Sequence, residues 1–307
     1  HPFYESFCLS FLETSFNLWE NNLQLKIERF IYMIKQNLHT HTCLDHGQDT
    51  VEEMIETAME KGFTRLGFSG HSYNRPLSST SMTHENTQLY LQQVAQAKEA
   101  HKEDLQIFLG IEQDSMHRID CSPFDYVIGS VHWLKENGTT WAIDYSTEEF
   151  ARMLKEGFGN DMPALAKRYY QDVEEMMDWP EVDIIGHIDL ISKYNEWQDF
   201  FPFDADWYLQ PAFHAIDKGI AKGKVFEMNT GAMARGDRLT PYPHPILLKY
   251  MAKHGAKLCI NTDCHDRRYL DLCIKDCLKL AKEAGFKELY AMSNNGLVPA
   301  DINEFFV

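Results

Sequence analysis

The chain has 307 residues, 44% of them hydrophobic, enough to bury one large α/β core or two modest ones. A formal net charge of −17 argues against a generic polyanion-binding surface, so nucleic acid is not expected as a partner, although cations inside a site would still allow a small phosphorylated molecule to bind. The seven cysteines are odd in number and contain no CxxC pair, which points to a reducing, cytoplasmic setting, and no stretch reaches the roughly 18 to 20 apolar residues of a membrane span.

Residues 1–32 are aromatic-rich, with Phe3, Tyr4, Phe7, Phe11, Phe16 and Trp19, and lack the rhythm of the rest. They read as an N-terminal helical extension of unassigned role, packed outside a domain that begins at Met33. Charged Glu13, Glu20, Lys26, Glu28 and Arg29 interrupt any apolar core there, so a signal peptide is not expected. From Met33 onward, short β-branched or apolar runs alternate with amphipathic stretches, the signature of parallel βα architecture. Strands are predicted at 36–41, 65–70, 106–112, 126–132, 182–188, 224–229 and 257–262, with a weaker run at 288–292. Helices are predicted at 50–61, 84–102, 147–158, 161–177, 206–222, 245–254 and 270–284. Thr50 with Glu52 and Glu53 supplies a helix start, and Gly62, Gly223, Gly255 and Gly285 stand where helices should stop. No linker or repeat interrupts 33–307, so one barrel-like domain is expected.

A parallel βα barrel builds its site from the C-terminal ends of its strands. The first predicted strand ends in His39-x-His41, whose period-2 spacing puts both imidazoles on one face, with His46 in the following loop. The second ends at His71, the third at Glu112-Gln-Asp114, the fourth at His132, the fifth at His187-Ile-Asp189, the sixth at Glu227-Met-Asn229 and the seventh at Asp263-Cys-His265. A lone strand-end histidine is ordinarily a surface or hydrogen-bonded core residue. Imidazoles after five of seven strands, completed by Glu112 and Asp263, are not explained that way. The other seven histidines (His1, His84, His101, His117, His214, His244, His254) fall in helices, connections or the terminus and read as ordinary. Seven imidazoles and two carboxylates exceed the roughly four donors of one tetrahedral ion, so two or three metals are expected, and this donor set suits Zn, Fe or Mn.

The ordered set His39, His41, His46, His71, Glu112, His132, His187, Asp263 and His265 resembles the PHP (polymerase and histidinol phosphatase) family over about 33–307. The resemblance implies a distorted (β/α)7 barrel with three divalent ions on its C-terminal face. His39, His41, Glu112 and Asp263 would hold one, Glu112, His132 and His187 a second, and His46, His71 and His265 a third, with Glu112 bridging two. The segment Glu227-Met-Asn229-Thr-Gly-Ala-Met-Ala-Arg235 and the connection lengths are similar to the histidinol-phosphatase branch. Two features depart from that pattern. The step from His41 to His46 is one residue short, so Asp45 and His46 both stand as candidate ligands, and 1–32 has no counterpart.

What the resemblance implies is a phosphomonoesterase that hydrolyses L-histidinol phosphate to L-histidinol and phosphate, in histidine biosynthesis, through a metal-activated hydroxide. Arg235 is the first candidate to clamp the phosphate, because guanidinium matches it bidentately; Arg268 and Arg267 come second. Asp189 is a candidate acid for the leaving alkoxide, or an orienting partner for a ligand imidazole. Alternatives are another small ester (a sugar phosphate or nucleotide), a non-catalytic metal-binding barrel, and a nuclease or proofreading module, the last disfavoured by the acidic charge. A homo-oligomer is compatible with the sequence.

Overall fold

All seven strand runs enter one parallel sheet of order β1-β2-β3-β4-β7-β8-β9, in a computed structural model describing residues 33–74 and 77–305. The strands are β1 (Gln36–Asn37), β2 (Arg65–Phe68), β3 (Gln106–Asp114), β4 (Tyr126–Ser130), β7 (Ile184–Ile185), β8 (Val225–Asn229) and β9 (Lys257–Asn261). Two hairpins complete the set. β5 (Trp133–Glu136) and β6 (Thr139–Ala142) follow β4 directly, and β10 (Glu288–Ser293) pairs antiparallel with β11 (Gly296–Asp301). The run at 288–292 is therefore a hairpin arm and not an eighth barrel strand. The helices expected in 1–32 lie outside the described residues.

The predicted helices form within a few residues of expectation, and local chemistry accounts for their ends. Val51–Glu60 starts with a full capping box between Thr50 and Glu53. Thr83, Ser146 and Asp161 cap three further helices, and Gly285 closes Ile274–Ala284 at a φ of 112°. The stretch expected as one helix at 147–158 begins as an α-helix, Thr147–Arg152, and finishes as a π-helical turn, Met153–Gly157.

The barrel interior is a small apolar cluster of Leu38, Phe108, Tyr126, Ile128, Ile184, Val225, Cys259 and Met292, separate from the larger core between strands and helices. Tyr126 spans this interior. Its hydroxyl donates to the carbonyls of Leu38 and Phe68, on the two strands across from its own. A Cβ on Gly110 would collide with the Tyr126 ring, so the glycine on β3 is what lets this bulky side chain in.

The sheet closes at a seam that is mostly side chain. Asn261 Oδ1 accepts the Leu38 N–H at 2.8 Å, and Asn37 bonds the Thr262 hydroxyl at 2.5 Å. Backbone pairing between the first and last strands is confined to their tips. There His41 N–H donates to Cys264 O at 2.8 Å, and Cys264 N–H to His39 O at 3.0 Å. This explains why β1 is two residues long where six were predicted: its outer partner is built largely of amides and hydroxyls. The seam also holds the two richest metal-binding motifs, 39–41 and 263–265, side by side.

Candidate metal centre

The strand ends bring the nine residues into one cluster, five of whose imidazoles surround a single carboxylate. Glu112, on β3, is buried at the centre. Its Oε2 lies 2.8 Å from His71 Nδ1, 3.3 Å from His39 Nε2 and 3.6 Å from His41 Nε2. Its Oε1 lies 3.1 Å from His187 Nε2 and 3.4 Å from His132 Nε2. Asp263 faces it across the site, with Oδ1 3.2 Å from His41 Nε2, 3.6 Å from His39 Nε2 and 3.4 Å from His265 Nδ1. Asp263 has a left-handed backbone, φ 50°, unusual for a side chain with a Cβ. Gly231 packs against it so closely that a Cβ there would sit 2.8 Å from Asp263 Cβ.

His46 completes a cluster of rings, with its centroid 4.2 Å from His265 and 4.9 Å from His71. Three donor groups each lie within 4.8 Å of mutual separation: His41, His46, His71 and His265; His39, His41 and Asp263; and His71, Glu112 and His132. Each shares members with one of the three sets expected from the sequence, but Glu112 falls outside the His39 group and His187 outside all three. His41 joins the His46 group as well as its own, and His71 also faces Glu112.

Whether this donor set fits metal ions is tested by its unsatisfied atoms. His39 Nε2, His41 Nε2, His265 Nε2 and Glu112 Oε2 are buried without a hydrogen-bond partner, an arrangement that costs free energy unless something else engages them. Lone pairs of this kind converging from three strand ends are what divalent ions take, so the residues fit.

A second ring of carboxylates fixes the imidazoles. Glu227 Oε1 takes His39 Nδ1 at 2.7 Å, Asp45 Oδ2 takes His41 Nδ1 at 2.5 Å, and Asp114 Oδ2 takes His132 Nδ1 at 3.1 Å. In each case the ring is turned so that Nε2 points into the cluster. Asp45 also accepts the backbone N–H groups of Thr42 and His71, so it braces the first loop while His46 faces the cluster. Glu227 is the most engaged of the three. It also accepts from Asn229 and Asn261 at 2.9 Å and from the His187 N–H at 3.0 Å. The orienting roles of Asp114 and Glu227 are additions to the sequence reading. Both stood at strand ends, but nothing in their spacing shows which histidine each one meets.

Burial by itself would raise the carboxyl pKa of Glu112, but His71, His39 and His132 outweigh it and hold the group well below its ordinary range. Burial disfavours charge on His41 as well, yet Asp45 and Asp263 raise it to about 9. His46 goes the other way: burial, then His71 and His41, lower it to about 3.

The cluster opens into a cavity of about 440 Å³, within the size range of small-molecule sites. Arg235 lines it, with Nη2 3.3 Å from Asp263 Oδ2. Lys193, which the sequence reading did not single out, lines it too, and donates to the Asp144 carbonyl at 2.8 Å. Arg267 and Arg268 stand outside the cavity wall. Arg267 pairs with Asp49 at 3.3 Å and Arg268 with Asp266 at 2.9 Å, so both guanidiniums are engaged elsewhere. Asp189 is fully buried and lies off the cavity wall. Its Oδ2 accepts the His244 N–H at 2.9 Å and the Ser192 hydroxyl at 3.3 Å, contacts that serve neither expected role, acid or imidazole partner.

With that geometry in place, comparison with known proteins decides the family: the PHP domain pattern matches residues 36–231, well over half of the chain. The chain belongs to the PHP domain family. A protein of Deinococcus radiodurans named "Probable histidinol-phosphatase" is 27% identical over 263 residues, covering 81% of this chain and 92% of its own. The histidinol-phosphatase of Bacillus subtilis is 22% identical, with coverage of 76% and 94%. The crystal structure of histidinol phosphate phosphatase from Lactococcus lactis, complexed with zinc, L-histidinol and phosphate, superposes with a TM-score of 0.67 at 21% identity, covering 86% of this chain and 98% of that one. That likeness shows a shared PHP-type barrel.

Proposed function

We propose that this PHP-family protein is a metal-dependent phosphomonoesterase that hydrolyses L-histidinol phosphate to L-histidinol and phosphate, a step of histidine biosynthesis. The observation that carries the reading is the convergence of nine donors, Glu112 with five imidazoles around it among them, at a cavity of about 440 Å³ that also presents Arg235 and Lys193. The names and near-complete coverage of the histidinol-phosphatase relatives supply the substrate. In this reading His39, His41, Glu112 and Asp263 hold one of three divalent ions, Glu112, His132 and His187 the second, and His46, His71 and His265 the third. Zn, Fe and Mn all suit these ligands. Bound there, such ions supply a water of lowered pKa and neutralise charge on the phosphoryl oxygens.

The chain's own side chains do the rest. Glu227, Asp45 and Asp114 hold three imidazoles in the tautomer that leaves Nε2 free. Arg235, about a third exposed beside Asp263, is placed to grip a phosphate oxygen at the edge of the cluster. The free state of all six described cysteines supports a reducing, cytoplasmic setting, and no described helix is long and apolar enough to cross a membrane. The net charge of −17 supports a small substrate over nucleic acid. The test is phosphate release from L-histidinol phosphate against sugar phosphates and nucleotides, with metals quantified. The expected result is preference for L-histidinol phosphate, lost on chelation and in His132→Ala. Turnover indifferent to both, or a preference for another ester, would overturn the assignment.

A further inference from the structure

Four carboxylates line the cavity: Glu112, Asp114, Asp144 and Asp263. Three are committed. Glu112 is ringed by histidines, Asp114 holds His132 and accepts from Asn74, and Asp263 faces His41 and Arg235. Asp144 alone has a carboxylate that no hydrogen bond engages among the described residues. Its closest cation among the described residues, Lys193 Nζ, is 3.9 Å from Asp144 Oδ2 and nearer, at 3.5 Å, to Asp237 Oδ2. The position of Asp144 is nonetheless firmly set. Its carbonyl accepts from Lys193 at 2.8 Å and from the Tyr194 hydroxyl at 2.7 Å, so the loop is pinned from the backbone and the side chain, about a third exposed, is left for the cavity. His132, His187 and Arg235 line the same cavity and lie near enough for their charges to act on Asp144, so Asp144 stands within reach of where a phosphate would sit. A carboxylate there repels a phosphate dianion, which gives a plain phosphatase no reason to keep it.

We propose that Asp144 is the receptor for an ammonium group on the substrate and that the site selects phosphate monoesters of β-amino alcohols. The inference rests on the phosphomonoesterase reading above. In L-histidinol phosphate two carbons separate the amine from the ester oxygen, so a receptor for it must stand beside the phosphate site, as Asp144 does. The exposed ring of Tyr145, next in sequence and also on the cavity wall, offers the cation an aromatic face.

The experiment compares kcat/KM for two ester pairs, each with and without the amine: L-histidinol phosphate with 3-(imidazol-4-yl)propyl phosphate, and 2-aminoethyl phosphate with ethyl phosphate. Wild type should prefer the amine-bearing member of each pair. In Asp144→Asn that preference should shrink about 10- to 100-fold, the worth of one charge-assisted hydrogen bond, mainly through KM. The KM for amine-free esters should fall, because a charge facing the phosphate has gone; a merely structural role would raise both. Asp144→Glu, which keeps the charge, should retain most of the preference, and metal content matched to wild type reports an intact site. No amine preference in wild type, or one unchanged in Asp144→Asn, overturns the proposal. Failure on L-histidinol phosphate alone would count against the proposed function, and the aminoethyl and ethyl pair would still decide the role of Asp144.

Discussion

Glu227 shows most clearly how single residues set the chemistry of this site. It is fully buried, makes no contact with the cavity, and accepts from four donors: His39 Nδ1, Asn229, Asn261 and the His187 N–H. Replacing one oxygen by an amide would set N–H against N–H at one of them. Glu227→Gln is therefore expected to turn His39 away from its inward-facing tautomer and lower metal affinity by about 10- to 100-fold, read by chelator competition. Unaltered affinity would show that His39 is held by packing alone. The cluster residues were legible in the sequence because strand-end position and period-2 spacing are local. The partnerships were not: His39 meets Glu227 across 188 residues, and that choice belongs to the closed sheet. Asp144 and Lys193 were silent for a related reason, since each lies on a connection whose path no periodicity encodes.

At the scale of elements, strand and helix order was readable because the apolar period switches cleanly between two and 3.6 along 33–305. What escaped was how the elements end. The strand expected at 36–41 gives way after Asn37 to a seam made by side chains, and the run at 288–292 pairs with a neighbour the sequence did not reveal. Tyr126 ties three strands of the barrel through one hydroxyl, and one of its acceptors, Leu38 O, immediately precedes His39. Tyr126→Phe leaves two buried carbonyls short of a donor and is expected to cost about 1–3 kcal/mol of stability, measured by denaturant unfolding. A loss near zero would mean that ring packing, and not the hydroxyl, ties those strands together.

For the whole molecule, the metal ions of the proposed function should act as part of the fold. An ion present at a hundredfold over its dissociation constant adds about 2.7 kcal/mol, so chelation should lower the Tm of a chain this long by about 4 °C for each ion lost. That loss should depend on pH. After chelation His41, with a pKa raised to about 9 against 6.5 in the unfolded chain, is charged and paired with Asp45 and Asp263. Its contribution is full below about pH 6.5 and fades as pH rises through about 9. The lowered value of His46 acts only below 6.5, where its neutral ring opposes folding, so it does not blur this window. The drop in Tm on chelation is expected to widen between pH 6.5 and 9, as seen by scanning calorimetry; His39 and His132, also raised by neighbouring carboxylates, act in the same direction, so a flat difference would argue that these three imidazoles lie outside the ion shells. The seam between the first and last strands has a further consequence, one of timing. His39 and His41 leave the ribosome well before the last strand, since their backbone partner Cys264 and the neighbouring Asp263 and His265 are made more than 220 residues later. At about 5–20 residues per second that is a wait on the order of 10 to 45 s. For that interval the nascent chain cannot close its barrel, and the two ligand sets that draw on Asp263 or His265 stay incomplete until the last strand has been synthesised.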